Sequence, residues 1–153
     1  MKTTNDWIKG MELAAKRGAQ YNIEALSEEL IPTLMVLTKS NNVEVAHVTA
    51  PKEEMADVIK DWLLKRQAKA YVLILEAWST TFVDEALKKY DGRVANMPLD
   101  DRFEVTTIII VKKDERIIQY LSARIDTDLE GHRKLREWSN GNVQETRICI
   151  TEW

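Results

Sequence analysis

The chain has 153 residues, with 22 lysines and arginines against 25 aspartates and glutamates, and a formal net charge of −3. This length suits one domain, and the balanced charge excludes a strong overall attraction to nucleic acid or to an anionic membrane. Five glycines and three prolines are too few for a linker-rich chain. We therefore predict a single α+β domain over residues 1–153.

The cysteine content bears on the compartment. A single cysteine, Cys149, excludes an internal disulfide and favours a reducing environment. The N-terminal segment lacks the continuous apolar core of a signal peptide, and no apolar run approaches the ~20 residues that span a bilayer. The sequence therefore predicts a cytoplasmic protein that does not enter a membrane.

The first third of the chain predicts a long helix and a hairpin. Capping residues at positions 3–6 precede an apolar helical face that begins at Trp7. A second apolar set continues this helix, either bent or as a separate helix, as far as Pro32. Two β-branched runs, 33–39 and 43–49, flank an asparagine-containing turn and predict a β-hairpin.

The middle of the chain predicts a second helix and a central strand. Apolar residues recur at helical spacing over 55–66. The nearly uninterrupted apolar run 70–79 predicts a strand that is covered on both faces. A short helix follows, on which Val83, Leu87 and Tyr90 share a face.

The last third predicts a loop, a second hairpin and a final strand. Residues 91–101 form the most loop-like stretch, and 102–112 and 116–126 are the strands of the second hairpin. Residues 127–141 are polar and predict a loop that only a few apolar side chains anchor. Residues 147–153 predict a short last strand.

The resulting element order is α-β-β-α-β-(α)-β-β-β. It predicts a five- or six-stranded, mostly antiparallel sheet with two long helices on one or both faces. This order resembles the roadblock and profilin-like group, whose members are often dimeric interaction modules. The segments EAW at 76–78 and DDRFE at 100–104 are also similar to uncharacterised prokaryotic α+β domains. These resemblances imply no particular activity.

Glu76 is the most informative residue, because it interrupts an apolar strand. Desolvating an unpaired carboxylate is costly, so Glu76 requires a partner. Arg124 and Arg102 are candidate partners, and Glu104 and Asp126 add carboxylates near strand ends. The group predicts either a structural ion pair or a polar pocket in which Glu76 is an acid or base and an arginine binds an anion. The residues around that pocket would be Glu76, Trp78, Arg102 and Arg124.

Other catalytic and metal-binding patterns are absent from the sequence. Neither His47 nor His132 has a second ligand at metal-binding spacing. No glycine-rich phosphate loop and no nucleophile elbow occurs. The sequence therefore predicts no metal and no cofactor, and it leaves open whether the protein is an enzyme.

A basic run, His132, Arg133, Lys134 and Arg136, precedes Trp138. Such a run can contact phosphate while the tryptophan stacks on a base. The acidic chain as a whole favours a solvated loop instead, and we expect no nucleic-acid partner.

Five tryptophans are many for a domain of this size. Trp7 and Trp62 lie on apolar helical faces and suit the core, whereas Trp78, Trp138 and Trp153 are candidates for an interface, where tryptophan is enriched. The leading hypothesis is a small cytoplasmic interaction or assembly domain that forms a homodimer and has a possible further protein partner. The alternative is a small enzyme or ligand-binding domain with the pocket at Glu76.

Overall fold

One antiparallel sheet lies between two helical layers in the computed structural model, which describes residues 2–26, 29–113, 117–140, 150 and 152–153. The helices are α1 (Thr4–Gln20), a π turn (Tyr21–Ala25), α2 (Met55–Lys65), α3 (Val83–Lys89) and two 3₁₀ turns (Val94–Asn96 and Leu99–Asp101). The strands are β1 (Thr33–Leu37), β2 (Val43–His47), β3 (Ala70–Ser79), β4 (Phe103–Lys112), β5 (Ile117–Thr127), β6 (Arg133–Leu135) and β7 (Ser139–Asn140). The predicted α+β class with an antiparallel sheet is confirmed.

The sheet has the strand order β2-β1-β3-β4-β5-β6, and β7 also pairs with β5. Side chains alternate along β3 and β4, so even-numbered residues such as Val72 and Ile110 pack against α1. Odd-numbered residues such as Leu73 and Ile109 pack against α2. The two long helices therefore cover opposite faces, called here the α1 face and the α2 face.

The predicted first helix is one continuous helical element rather than two separate helices. Thr3 and Asp6 form a capping box, in which each side chain accepts a hydrogen bond from the other residue's backbone N–H, at 3.2 and 2.9 Å. The α-helix runs directly into the π turn, where the Leu26 N–H donates to the Tyr21 carbonyl (3.3 Å). None of the helices in the described part of the chain has the length and apolar character that crossing a bilayer requires.

Helix α3 packs mainly through Ala86 and Tyr90. Ala86 is buried against Val94 and Met97 of the returning segment 91–101, and Tyr90 packs against the same group. Val83 and Leu87, which the sequence placed on one face with Tyr90, are 42% and 62% exposed. The small alanine side chain suits the contact because it lets the 3₁₀ turn approach the helix.

The segment predicted as a polar loop, 127–141, contributes the two short strands β6 and β7. The Asp128 carboxylate accepts hydrogen bonds from the backbone N–H groups of Glu130 and His132, both at 2.9 Å. Gly131 adopts φ +87° and completes the turn. The result is a hairpin between β5 and β6.

The end of the chain is fastened to the α2 face. The Tyr71 hydroxyl donates to the Ile150 carbonyl (2.6 Å) and accepts from the Ile150 N–H (2.8 Å). The Trp153 indole donates to the Ala68 carbonyl (2.9 Å), and its ring meets the Tyr71 ring edge-on at 5.5 Å. The predicted last strand, 147–153, lies mostly outside the described residues.

We expect Tyr71→Phe to lower the free energy of unfolding by about 1–3 kcal/mol, because two backbone groups of Ile150 lose their partner. Urea denaturation measures this loss. The matched control is Tyr21→Phe, at a ring that is 63% exposed, where we expect a change below about 0.5 kcal/mol. Equal losses for the two variants would contradict the role given to Tyr71.

Candidate functional site: a buried carboxylate–guanidinium cluster

Glu76 lies on the α1 face of β3, opposite Thr106 of β4, and its side chain is 12% exposed. One carboxylate oxygen, Oε2, accepts the backbone N–H of Leu30 (3.1 Å) in the connection that follows the π turn. The other oxygen, Oε1, accepts from Nη2 of Arg133. Both oxygens of this carboxylate are therefore occupied by groups of the chain itself.

Arg133 comes from β6, the short strand that pairs with the end of β5. In the β5–β6 pairing, Arg133 lies opposite Thr127 and Leu135 lies opposite Ile125. Odd-numbered residues of β5 direct their side chains to the α1 face, so Arg133 and Leu135 are on that face too. The Arg133 side chain is 11% exposed, and its Nη2 also donates to Oε2 of Glu104 (3.1 Å), which is 42% exposed. Glu76, Glu104 and Arg133 are called the Glu76 cluster below.

Burial dominates the electrostatics of Glu76. Desolvation raises the pKa of this carboxyl above its ordinary value, and Glu104 adds a smaller increase. The hydrogen bond and charge of Arg133 and the Leu30 N–H lower the pKa and offset only part of this increase. The ion pair thus compensates incompletely for the cost of placing a carboxylate in the sheet.

A second carboxylate, Glu24 of the π turn, also holds β6. Its Oε2 accepts the Leu135 N–H (2.9 Å), and its Oε1 accepts from the side-chain amide of Gln20 (3.0 Å). These hydrogen bonds, that from Leu135 first, lower the pKa of Glu24. The end of the sheet is therefore fastened to the segment that follows α1 by two carboxylates from different elements.

Trp78 and Arg102 form a separate contact beside the Glu76 cluster. The guanidinium carbon of Arg102 lies 4.1 Å from the centre of the Trp78 ring, and Nη1 donates to the Ala95 carbonyl. Trp78 also packs on the buried group formed by α3 and segment 91–101. Within the described part of the chain, no hydrogen bond or ion pair joins Arg102 to Glu76.

Arg124 and Asp126 lie on the α2 face, and the sheet separates them from Glu76. Arg124 pairs in register with Val105, and its guanidinium carbon lies 4.4 Å from the ring centre of Phe103. Asp126 binds Arg136 at 2.6 Å, and this contact lowers the pKa of Asp126. The proposed pairing of Glu76 with Arg124 is therefore wrong, since alternation places an even-numbered residue of β5 on the far side.

The three tryptophans named as interface candidates are each partly buried. Trp138 packs against the core on the α1 face, and Trp153 packs against the core on the α2 face. Trp78 is covered by Arg102 as described above. Whether any of them contacts another protein stays a prediction.

The basic run is largely paired within the chain. Arg133 and Arg136 bind carboxylates, as described above, and Nδ1 of His132 lies 3.5 Å from the carboxylate of Asp128. These contacts engage part of the positive charge of the run within the chain, while Lys134 is exposed. Whether the run contacts nucleic acid stays a prediction.

A concavity bordered by described residues lies elsewhere, where β1 begins and β2 ends. It is a shallow depression of about 320 Å³, and no residue of the Glu76 cluster borders it. Its lining is mostly apolar and consists of Glu29, Leu30, Ile31, Pro32, Val48, Thr49, Ala50 and Met55. Nothing in this set provides a nucleophile or a pair of acid–base groups.

Sequence reasoning missed Arg133 as the partner of Glu76, because Arg133 was grouped with its basic neighbours. A turn signal was present in Asp128 and Gly131, the residue types that close hairpins. A strand placed after that turn directs Arg133 and Leu135 to the same side. An arginine on the α1 face can supply the counter-charge that the buried Glu76 requires.

In comparisons with protein-family models, with curated proteins and with solved structures, the chain matches none of them. The resemblance to the roadblock and profilin-like group therefore rests on element order alone. The function has to be argued from the geometry described above.

We expect Glu76→Ala to lower the free energy of unfolding by about 3–5 kcal/mol, because the substitution removes the buried carboxylate that pairs with the buried Arg133. Glu104→Ala removes a carboxylate from the same guanidinium at an exposed position, so the expected loss is below about 1 kcal/mol. Chemical denaturation of both variants checks the difference. Similar decreases in the free energy of unfolding for the two variants would contradict the claim that burial makes the Glu76–Arg133 contact stronger than the Glu104–Arg133 contact.

The pH dependence follows from the raised pKa of Glu76. The pKa of Glu76 in the folded state exceeds its ordinary value of 4.5. The protonated carboxyl therefore adds to the free energy of unfolding, and this contribution is complete at pH values below 4.5. That stability is lost as the pH rises through the folded-state pKa. Glu76→Gln removes the titration, so the stability of the wild type relative to this variant should be greatest at acid pH and fall toward neutral pH.

Urea unfolding of the wild type and Glu76→Gln from about pH 4 to about pH 8 measures this difference. A wild-type advantage that grows as the pH rises would show that attraction to Arg133 outweighs burial.

Proposed function

We propose that this protein is a small cytoplasmic interaction domain that forms a homodimer through the outer edge of β2. One observation carries the proposal: β2 ends the sheet, with β1 on one side and no other described strand on the other. Val45, at its centre, is 58% exposed. Exposed edges of this kind are templates for pairing with another chain.

The hydrogen bonds between β1 and β2 define which backbone groups point outward. The Val48 N–H donates to the Pro32 carbonyl (2.7 Å), and the Thr38 N–H donates to the Asn42 carbonyl (2.8 Å). Hydrogen-bonded pairs alternate in an antiparallel ladder, so the even-numbered residues of β2 bond to β1. The backbone N–H and C=O groups of the odd-numbered residues 43, 45 and 47 are directed away from β1.

The edge also lacks the usual protective features. Its sequence, VEVAH, contains no lysine and no proline, the residues that often prevent edge pairing. Its one acidic residue, Glu44, is bound by Arg66 of the α2 layer at 2.8 Å. The charge that would otherwise repel a second copy is therefore compensated within the chain.

These features favour one register. If two copies of β2 pair antiparallel about Val45, the three outward-directed residues of each copy face those of the other, and Val45 meets its own equivalent. Glu44 then faces Ala46 of the second copy. A register centred on Glu44 would instead place the two Glu44–Arg66 pairs opposite each other and would move Val45 away from its own equivalent.

The alternative, an enzyme or ligand-binding domain at Glu76, has less support. Both oxygens of Glu76 are already bonded, and Arg124 lies on the other face of the sheet. A general base needs a free oxygen within reach of its substrate. The Glu76 cluster therefore suits a structural role.

Light scattering at about 20 µM tests the dimer, since a specific contact with a micromolar dissociation constant is largely formed there. We expect a dimer mass for the wild type and a monomer mass for Val45→Lys, because the lysine charge would be buried beside its equivalent. A wild-type monomer under these conditions would contradict the proposal.

The matched control is Leu129→Lys in the turn between β5 and β6, which replaces an exposed apolar side chain at the sheet edge opposite β2. We expect this variant to remain a dimer. Loss of the dimer in both variants would point to a general effect of added charge and would also contradict the proposed contact.

A further inference from the structure

We infer that α3 carries a second self-association surface, on which two copies pair with their helices antiparallel. Apolar side chains are concentrated at this end of the molecule and are exposed to solvent. They are Phe82 (48% exposed), Val83 (42%), Leu87 (62%) and Leu99 (69%). Isolated exposed apolar residues are ordinary, but a cluster of them marks a contact site.

Hydrogen bonds join the two segments that carry these side chains. The Thr80 hydroxyl donates to the Asp101 carbonyl and accepts the Phe82 N–H (3.0 Å), so it fastens the Leu99–Asp101 turn to the start of α3. Val83 and Leu87 are four residues apart and lie one above the other on the helix. Ala86, three residues after Val83, lies on the adjoining side of the helix and is buried, so the exposed pair borders the contact between α3 and segment 91–101.

Charges beside the apolar stripe favour a second copy as the occupant. The apolar stripe consists of Val83 and Leu87. Asp84 and Lys88 each come one position later in the helix, so both lie along the same side of this stripe. In an antiparallel pairing that places Val83 against Leu87 of the second copy, Asp84 lies beside Lys88 of that copy, and the reverse contact forms by symmetry. The surface is therefore complementary to itself in charge.

Asp84 and Lys88 are available for such a contact. Within the described part of the chain neither forms an ion pair, whereas their neighbours Glu85 and Lys89 bind each other at 3.4 Å on another side of the helix. A seven-residue helix offers little area, so this contact is weaker than an edge-strand dimer. It does not depend on the β2 contact, and the two together would link copies into larger assemblies at high concentration.

The test uses the Val45→Lys protein, in which the β2 contact is removed, over a concentration series up to about 1 mM by sedimentation equilibrium. We expect a monomer at low concentration and a dimer toward the upper end. Leu87→Lys in the same background should abolish this dimer. Monomer mass throughout the series for the Val45→Lys protein would overturn the inference and assign the α3 surface to a different partner.

A charge reversal tests the pairing itself. Asp84→Lys should weaken association by roughly tenfold, and adding Lys88→Asp should restore it, because the exchanged charges again meet across the symmetry axis. Glu85→Lys is the matched control and should leave association unchanged. Failure of the double exchange to restore association would overturn the antiparallel arrangement.

If Val45→Lys is a dimer to the same extent as the wild type at low concentration, the proposed dimer through β2 is contradicted. The Leu87→Lys and charge-reversal variants then still decide the α3 surface separately.

Discussion

The bond between Glu76 and Arg133 is the interaction on which one end of the sheet depends. A carboxylate on a central strand must be satisfied locally, and here the two partners are a backbone N–H at Leu30 and a guanidinium at β6. The contact therefore joins three segments that are far apart in sequence. Burial raises the pKa of Glu76 despite these partners, so the carboxylate is costly to bury, and removing either partner alone leaves the other buried without its counter-charge.

Most tryptophan rings are covered by the cationic group of a lysine or arginine. A binding surface is therefore better sought at other apolar side chains. Four of the five tryptophans have a cationic side chain over the ring, an arrangement that contributes roughly 0.5–1 kcal/mol at exposed sites. These pairs are Lys2 with Trp7 (4.6 Å), Arg66 with Trp62 (3.7 Å), Arg102 with Trp78 (4.1 Å) and Lys113 with Trp153 (5.9 Å). Exposed apolar side chains include Val45 at the β2 edge and Val83 and Leu87 on α3, the two surfaces at which we propose contacts between copies.

Much of the fold could be predicted from the sequence because its strongest patterns are local. The capping residues before Trp7, the run 70–79 and the helical spacing over 55–66 each report a hydrogen-bonding or burial pattern within a few residues. The strand β6 could not be recognised by alternation of apolar residues, because one of its two inward positions is an arginine. The partner of Glu76 was missed because choosing it requires knowing which face of the sheet each strand residue occupies. A shift of one position along β5 moves a side chain from one face to the other.

The central claim is that Glu76 and Arg133 act on each other as a structural pair. A double-mutant cycle with Glu76→Ala, Arg133→Ala and the double variant, measured by urea denaturation, isolates their interaction from the effect of each truncation. The account predicts a coupling free energy of about 2–3 kcal/mol, near the upper end of the range for residues in direct contact. Additive effects, with a coupling below about 0.3 kcal/mol, would contradict it and would reopen Glu76 as a residue available for chemistry.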